Sequence, residues 1–345
     1  MNLIAQLCKT LDDRIEELDL EEVQDDNSPM EVIVKDDQFD VSKVKEYTGE
    51  SLKNLEFRPT NFTQFIGQTE AKERAKTIIK KANKGLKAHF LVDGIKGHGK
   101  TNFVELISKE LNAHIIKRVG KQVDVNNLVN IVNEINTSEN KHVMLFIDEI
   151  DTMDWKVLKV LNPIIESFEI AGKRIKPFIF VGATINKHVL IKNNPDTLDR
   201  IQTHIKFLRY DSSEIAQILS QYIKELYQDE NVSEDVIKTI SHNCKFNPRS
   251  SIALLEDYIV ERDINKVLKT CHIVKDGLTK KDIEILIALN NCKRAMGANA
   301  LAMKVKLSQN EYVREFEPFL VEYDYVNRVP SRVITEKGKE VLKWV

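Results

Sequence analysis

Residues 94–101 have the sequence Gly-Ile-Lys-Gly-His-Gly-Lys-Thr. They match the phosphate-binding pattern G-x-x-x-x-G-K-[ST]. They also follow the apolar run His89–Asp93 and precede a segment with helical periodicity, which is the context that gives the pattern meaning. Glycines let backbone N–H groups curl around phosphate oxygens, and the start of the next helix adds partial positive charge. We therefore predict a nucleotide-binding P-loop that includes Gly94, Gly97 and Gly99.

The residues that end the loop supply its chemistry. Lys100 is expected to reach the β- and γ-phosphates of ATP as a point charge. Thr101 is expected to place its hydroxyl on Mg²⁺, and Asn102 continues the binding segment. His98 stands at an unconstrained position of the pattern, so we predict a solvated loop residue that is not a catalyst.

A second apolar run, Val143–Ile147, is followed by Asp148 and Glu149. A buried parallel strand that ends in this way directs its carboxylates into the crevice at the carboxyl edge of the sheet. Asp148 is expected to hold Mg²⁺, directly or through water. Glu149 is expected to orient or deprotonate the attacking water.

A third apolar run, Phe178–Gly182, leads to Thr184 and, two residues later, to Asn186. A hydroxyl or an amide at this strand end can hydrogen-bond the attacking water or the γ-phosphate. The spacing alone does not decide which of the two has that role, and a satisfied strand end is the commoner interpretation.

The chain divides into four segments. Short apolar runs that alternate with longer amphipathic segments indicate an α/β domain with buried parallel strands. Helical periodicity alone follows, with Ser212 and Ser233 as predicted N-caps. Three helical segments, a strand–turn–strand around Pro330 and a last short helix then indicate a winged helix. The predicted segments are an acidic extension (1–55), the P-loop domain (56–208), a helical lid (209–276) and the winged helix (277–345).

The net charge of the 345-residue chain is −2, which by itself does not support nucleic-acid binding. That average hides a division, because residues 1–55 contain 15 Asp/Glu and 6 Lys/Arg, a net of −9, and the remainder therefore carries +7. The predicted winged helix, residues 277–345, is itself only mildly basic. Apolar residues at helical spacing between Leu3 and Leu18 predict one amphipathic helix in the acidic segment. It either docks on its own domain or forms a partner-binding or autoinhibitory arm that mimics an anionic ligand.

Several classes of protein are excluded. The chain has no run of eighteen apolar residues, so we predict no membrane span. Its first residues lack the features of a signal peptide. Four cysteines stand far apart without a C-x-x-C pair, which argues against a zinc knuckle or a disulfide scaffold and favours a cytoplasmic protein.

Together these motifs resemble those of AAA+ ATPases and, more narrowly, those of the RuvB family, the motors of Holliday-junction branch migration. The resemblance runs from about Phe57 to the C-terminus. Seven places carry it in order: Arg58-Pro59 with Phe65-Ile66-Gly67-Gln68, Gly94–Thr101, Asp148-Glu149-Ile150, Gly182-Ala183-Thr184, Asp199-Arg200, Asn247-Pro248-Arg249, and Glu317-Pro318-Phe319-Leu320 with Asn327–Arg332.

The resemblance implies roles that the patterns alone do not assign. Arg200 would be an arginine finger that reaches the nucleotide of a neighbouring subunit, which requires an oligomer, a hexamer by resemblance. Arg249, in the lid, would contact the γ-phosphate. Arg328 and Arg332 would grip duplex or four-way-junction DNA during recombination and repair. The adenine pocket would be lined by Arg58, Pro59, Ile66 and Gly67.

The chain also departs from the family pattern. The family has His-Arg where Asp151-Thr152 stands here, and Leu198 replaces the first arginine of its L-R-D-R-F segment. Only Phe168–Lys176 remains of a long hairpin by which the family docks onto RuvA, which argues against a RuvA-type partner. The acidic extension is foreign to the family. We therefore expect a divergent relative in the cytoplasm of a bacterial or phage-infected cell.

Two alternatives to a DNA motor stay open at this point. The first is an AAA+ loader of a replicative helicase or sliding clamp. The short hairpin and the acidic extension favour it, because both would change which proteins the chain binds. The second is a nucleotide-controlled adaptor that binds protein through its winged helix. An intact Glu149 argues against an adaptor that barely hydrolyses ATP.

Overall fold

The computed structural model of the chain describes residues 57–185, 187, 190, 195–292, 294–328 and 331–343. The helix predicted in residues 1–55, the candidate Asn186 and Pro330 of the predicted wing turn lie outside the described residues. No helix in these ranges combines the length and the apolar composition needed to cross a membrane.

A parallel sheet forms the centre of the first domain. The strands of this domain in the described ranges are β1 (Phe90–Asp93), β2 (His114–Val119), β3 (Val143–Asp148), β4 (Glu169–Ile170), β5 (Lys173–Arg174), β6 (Ile179–Thr184) and β7 (Thr203–Lys206). The sheet has the order β2-β3-β6-β1-β7, and each neighbouring pair is parallel. β4 and β5 instead pair antiparallel as a separate short hairpin. The three predicted apolar runs form the three central strands, and all five carboxyl ends meet at one edge.

Helices cover both faces of the sheet. They are α1 (Thr69–Asn83), α2 (Lys100–Glu110), α3 (Val125–Thr137), α4 (Trp155–Ser167) and the short α5 (Pro195–Arg200). Buried side chains of α1 and α2 form one apolar cluster with the sheet, and those of α3 and α4 form a second cluster. The domain is therefore the α/β structure with a parallel sheet that the sequence predicts, and it has three layers, with the carboxyl edge of the sheet left open.

The lid consists of helices only, as predicted. Its helices are α6 (Ser212–Leu226), α7 (Glu234–Asn243), α8 (Pro248–Glu261) and α9 (Ile264–Thr270), packed around one apolar cluster. Ser233 caps α7 as predicted, because its hydroxyl accepts from the N–H of Val236. The prediction of Ser212 as a cap is wrong by one residue, since Asp211 caps α6 and forms a reciprocal capping box with Glu214.

The C-terminal domain is a winged helix. Its elements are β8 (Ile273–Lys275), β9 (Leu278–Thr279), α10 (Lys280–Asn290), α11 (Ala298–Lys304), α12 (Gln309–Glu311), a π-helical turn (Tyr312–Phe316), α13 (Glu317–Glu322), β10 (Val326–Asn327), β11 (Val333–Ile334) and α14 (Glu336–Leu342). The predicted order of helices, two antiparallel strands and a last short helix is confirmed. The β8–β9 hairpin spans the predicted limit at residue 276.

The lid and the winged helix are joined by polar and aromatic contacts. Lys245 Nζ lies 2.6 Å from Oδ2 of Asp282, whose side chain is fully buried. The Arg209 guanidinium stacks 5.6 Å from the ring of Tyr323, and Phe246 stacks on the same ring at 5.0 Å. Such contacts resist sliding between the two domains, because any sliding would leave the buried Asp282 carboxylate without its cation.

Candidate nucleotide site

A cleft of about 730 Å³ opens at the carboxyl edge of the sheet, between the P-loop domain and the lid. This volume is in the range of small-molecule sites. Its walls are formed by residues 57–66, the P-loop, the end of β3, the end of β6, Tyr210 and the lid helices α6 and α8. Motifs that are far apart in the sequence therefore meet in one cavity.

The P-loop has the backbone that its glycines permit. Gly97 and Gly99 have φ of 85° and 86°, in the left-handed region that favours glycine, and α2 begins at Lys100 directly afterwards. Lys100 Nζ donates to the carbonyl oxygens of Gly94 at 2.6 Å and Ile95 at 3.1 Å. Burial lowers the pKa of Lys100 to about 8, an effect that Asp148 partly opposes. The lysine is thus folded onto its own loop, at a place where phosphate oxygens could replace the two carbonyls.

The predicted metal ligands lie beside each other. Thr101 Oγ1 donates to Asp148 Oδ2 at 2.9 Å, which joins the start of α2 to the end of β3. One carboxylate and one hydroxyl next to a phosphate site suit Mg²⁺, which is commonly held by one or two carboxylates together with substrate phosphates and water. Glu149 follows in a left-handed conformation with φ of 52° and lines the cleft.

The prediction that His98 is a solvated loop residue is wrong. Its side chain is fully buried, its ring lies 5.7 Å from that of Tyr210, and the Tyr210 hydroxyl donates to the His98 carbonyl oxygen at 3.2 Å. Burial lowers the pKa of His98 to about 4, so the imidazole is neutral at physiological pH. The P-loop is therefore packed against the segment that leads into the lid, which the pattern of the loop cannot reveal.

Predicted nucleotide ligands divide into residues that line the cleft and residues that pack behind it. Arg58, Pro59 and Ile66 line it, as do the P-loop residues from Gly97 to Asn102. Gly67 and Gly94 do not line it. A Cβ at Gly67 would lie 2.7 Å from Glu214 Oε1, and one at Gly94 would lie 2.6 Å from Phe207 Cβ. Both glycines permit close packing behind the cleft.

The two arginines that the resemblance assigns to the γ-phosphate, Arg200 and Arg249, occupy different places. Arg249 lies in the first turn of α8 and lines the cleft, with its Cβ close to Gly97 of the P-loop. Arg200 does not line the cleft. Its Nε donates to Glu166 Oε2 at 2.9 Å and its Nη1 to the Asp196 carbonyl oxygen at 2.8 Å. Within one chain, therefore, Arg200 does not reach the nucleotide site.

The two predicted DNA contacts also differ. Arg328 has 59% of its side chain exposed and lies 3.8 Å from Glu317. Arg332 is only 13% exposed and donates to both carboxylate oxygens of the buried Glu317, at 2.5 and 3.2 Å. Arg332 therefore stabilises the interior of the winged helix, and only Arg328 presents its charge to the surroundings.

Two family models match this chain. The Holliday junction DNA helicase RuvB P-loop domain matches residues 57–203, and the RuvB C-terminal winged helix domain matches residues 275–343. The chain belongs to the RuvB family. It therefore has the AAA+ architecture of that family, with a P-loop domain and a C-terminal winged helix.

Relatives cover most of this RuvB-family chain. The Holliday junction branch migration complex subunit RuvB of Wolbachia sp. subsp. Brugia malayi is 28% identical over 329 residues, covering 88% of this chain and 98% of the relative. The protein of the same name from Ureaplasma urealyticum is 28% identical over 316 residues, covering 84% and 97%. The solved Thermotoga maritima RuvB branch migration motor is 26% identical with a TM-score of 0.72, covering 84% of this chain and 98% of that chain.

Three residues of the RuvB-family site have no site role predicted from the sequence, although two of them, Asn247 and Asp151, lie in or beside its motifs. Asn247 donates through Nδ2 to the Lys96 carbonyl oxygen at 2.8 Å, which ties the start of α8 to the P-loop. Tyr210 packs on the P-loop as described above. Asp151 accepts from Thr184 Oγ1 at 2.6 Å. Only Asn247 had a usable signal, because Asn before Pro is a typical start of a helix.

Proposed function

We propose that this chain is an ATP-driven motor that remodels branched duplex DNA, such as four-way junctions, in recombination and repair. Its relatives are named as subunits of the Holliday junction branch migration complex. The proposal assigns to this chain the binding and hydrolysis of ATP, the use of Mg²⁺ and the contact with DNA. We place the first two domain limits of the motor at 55/56 and 208/209. The sequence predicts the third at 276/277, inside the β8–β9 hairpin, so we propose that it lies before Ile273 instead.

One observation carries the proposal: the cleft opens between the P-loop domain and a lid that is itself locked to the winged helix. Asn247 and Arg249, at the start of α8, face the P-loop on one side of the lid. Lys245, two residues before Asn247, binds the buried Asp282 of the winged helix. A change in nucleotide state that moves α8 therefore moves the winged helix with it.

ATP hydrolysis is assigned to groups that the cleft brings together. Lys100 exchanges its two carbonyl partners for β- and γ-phosphate oxygens, and Arg249 approaches the γ-phosphate from the lid. Thr101 and Asp148 would hold Mg²⁺, which when bound neutralises charge on the phosphates. Glu149 accepts a proton from the attacking water.

Arg200 is assigned to the cleft of a neighbouring subunit. In its own chain it is held by Glu166 on the surface of the P-loop domain, outside the cleft. To act as a finger it must exchange Glu166 for a γ-phosphate oxygen across a subunit interface. This assignment requires a ring or helical assembly, and we propose a homo-hexamer in line with the family resemblance.

We propose that Arg328, at the end of β10, binds a DNA phosphate. Each phosphate contact makes the affinity more dependent on salt, so an Arg328→Glu variant should bind a four-way junction more weakly and with a shallower salt dependence. Arg314→Glu, an exposed arginine of the same domain outside the wing, is the matched control. If the two variants show the same salt dependence of DNA binding, Arg328 does not contact a DNA phosphate.

We further propose that this chain does not use a RuvA-type partner through its hairpin. The strands β4 and β5 have two residues each, joined by Ala171 and Gly172, both with positive φ as in a tight turn. Nothing lies within 4 Å of a Cβ added at Gly172, so the tip stands free of the domain. Such a tip offers only two to four residues for docking.

The decisive experiment compares ATP hydrolysis with no DNA, with linear duplex and with a four-way junction, alongside the native mass of the assembly. We expect the junction to stimulate hydrolysis most and Lys100→Ala to abolish nucleotide binding. Lys109→Ala, an exposed lysine on the same helix, should behave as wild type. A rate that is the same with every DNA would contradict the motor and favour a loader or an adaptor.

A further inference from the structure

A row of lysines, the lysine stripe, lies along the solvent side of α1 and the turn that follows it. The stripe consists of every fourth residue: Lys72, Lys76, Lys80 and Lys84. Alanine and isoleucine side chains on the opposite side of α1 pack into the P-loop domain. Residues 69–87 contain seven Lys/Arg and two Asp/Glu, so these nineteen residues carry +5 of the net +7 that follows residue 55. The net positive charge of the chain is therefore concentrated on one helix and its turn.

The lysine stripe has few counter-charges of its own. Glu73 Oε1 accepts from Lys76 Nζ at 2.7 Å, but no acidic side chain in the described ranges forms an ion pair with Lys80 or Lys84. Like charges four residues apart destabilise a helix. The helix dipole favours cations in the last turn, which accounts for Lys80 but not for Lys72 or Lys76. The stripe is therefore a surface that an anionic ligand would stabilise.

An exposed apolar side chain lies beside the lysine stripe. Leu86 follows Lys84 by two residues and is 58% exposed. A ligand that combines carboxylates with apolar side chains matches this surface better than a nucleic-acid backbone, which offers phosphates alone. No residue of the stripe lines the nucleotide cleft, so a ligand bound there leaves the cleft open.

The chain itself contains a stretch of complementary composition. Residues 12–26, the acidic stretch, contain nine Asp/Glu and one arginine, a net of −8. Four of its carboxylates have the same spacing as the four lysines: Asp13, Glu17, Glu21 and Asp25. Apolar residues stand among them: Ile15, Leu18, Leu20 and Val23. Charge, spacing and apolar content therefore all match the surface of α1.

We propose that the acidic stretch docks on the lysine stripe of its own chain. Thirty residues, 27–56, join the stretch to Phe57 and can span up to about 100 Å, whereas α1 is about 22 Å long. Such a tether gives an effective concentration of about 1 mM, at which a contact with a Kd of about 100 μM is occupied about nine-tenths of the time. The contact lies outside the nucleotide cleft and does not depend on ATP hydrolysis.

Carbodiimide crosslinking of the full chain tests the contact, because this reagent joins only carboxylates and amines that touch. Mass spectrometry of the peptides shows which lysines are joined to residues 12–26. A mixture of isotopically heavy and light chains separates bonds within one chain from bonds between chains. We expect bonds within one chain, to residues 72–87, about tenfold more often than to the exposed lysines 109, 121 and 141. They should disappear in 1 M salt, where the Debye length is about 3 Å.

Charge exchange separates docking from a general change of charge. The stripe variant is Lys76→Glu, Lys80→Glu and Lys84→Glu. The control variant has the same net charge and is Lys109→Glu, Lys121→Glu and Lys141→Glu. The exchange variant adds Glu17→Lys, Glu21→Lys and Asp25→Lys to the stripe variant. Glutamine at the three stripe positions gives a milder variant that keeps a helix-forming side chain.

We expect the stripe variant and its glutamine form to lose about tenfold of the crosslinks to the remaining amines of residues 72–87. The control variant should keep them within about twofold. The exchange variant should form new crosslinks between the lysines of the acidic stretch and the glutamates of α1. Thermal unfolding checks that each variant is folded.

Three results would overturn the inference. Crosslinks spread evenly over the exposed lysines would show a non-specific attraction. Crosslinks found only between heavy and light chains would place the acidic stretch on a neighbouring subunit. A loss of four-way-junction affinity in the stripe variant that is about tenfold larger than in the control would make the stripe a DNA-binding surface. None of these results depends on whether the wild-type chain hydrolyses ATP.

Discussion

Gly120 offers a test of how closely the backbone around Glu149 is packed. This residue begins the 3₁₀ turn Gly120–Gln122 after β2 and is buried. A Cβ added there would lie 2.4 Å from the Glu149 carbonyl oxygen, 3.1 Å from the Glu149 carbonyl carbon and 3.0 Å from Thr152 Oγ1. Two of these atoms are backbone, so no side-chain rotation relieves the contact.

The size of the effect follows from the distance. Ordinary contact begins at 3.4 Å, so in Gly120→Ala the Glu149 carbonyl must retreat by about 1 Å. Overpacking of this kind costs about 1–3 kcal/mol of folding stability. A displacement of 1 Å at a catalytic group costs about 10²-fold in rate, equivalent to about 2.7 kcal/mol of activation free energy.

The assay separates chemistry from binding. We expect Gly120→Ala to lower kcat for ATP hydrolysis by about 10²-fold and to leave nucleotide affinity almost unchanged, because the P-loop is not displaced. Gly297→Ala is the control, since φ there is −70° and a Cβ has nothing within 4 Å. If Gly120→Ala folds stably and hydrolyses ATP within about threefold of wild type, the backbone position of Glu149 does not limit the reaction and the reasoning fails.

Four further predictions follow from the site. Glu149→Gln should retain ATP binding and lose turnover, measured by nucleotide affinity and phosphate release; rapid turnover would assign the base elsewhere. Arg200→Ala should bind ATP normally and lose about 10³-fold in kcat in the assembled state, and normal hydrolysis there would exclude a finger. Because Lys100 loses its charge as the pH rises through its pKa of about 8, ATP affinity should fall about tenfold per unit above that pH, with no change below it; a constant affinity from pH 7 to 9.5 would contradict the role of its charge. Deletion of residues 1–55, with their net charge of −9, should raise DNA affinity at low salt, and unchanged affinity would count against electrostatic shielding by this segment.

The central part of the fold could be predicted because burial on both faces leaves a continuous apolar run. β1, β3 and β6 show that pattern, and their ends supply Asp148 and Thr184. β2 and β7 are the edge strands of the sheet, and each has one buried residue, Ile116 or Ile205, among half-buried and exposed ones. Both strands contain polar residues such as lysine and histidine. A search for continuous apolar runs therefore does not identify them.

Features that depend on contacts between distant segments could not be predicted. His98 is buried, and one residue that packs on it is Tyr210, more than one hundred residues later. Arg332 turns inward because Glu317 is buried beneath it, although its place beside the wing turn predicts an exposed cation. The pairing of Thr184 with Asp151 arises from sheet topology, which places the ends of β3 and β6 side by side.

The contact between Lys245 and Asp282 determines how this protein can be divided into parts. Asp282 Oδ2 also accepts from the N–H and the hydroxyl of Thr279. The carboxylate is therefore part of the first turn of α10, in the winged-helix domain. Its counter-ion comes from the lid. A winged helix expressed alone would lose the cation that is paired with this carboxylate in the whole chain. The winged helix is therefore not an interchangeable module, and a chimera between relatives must exchange the lid and the winged helix as one unit.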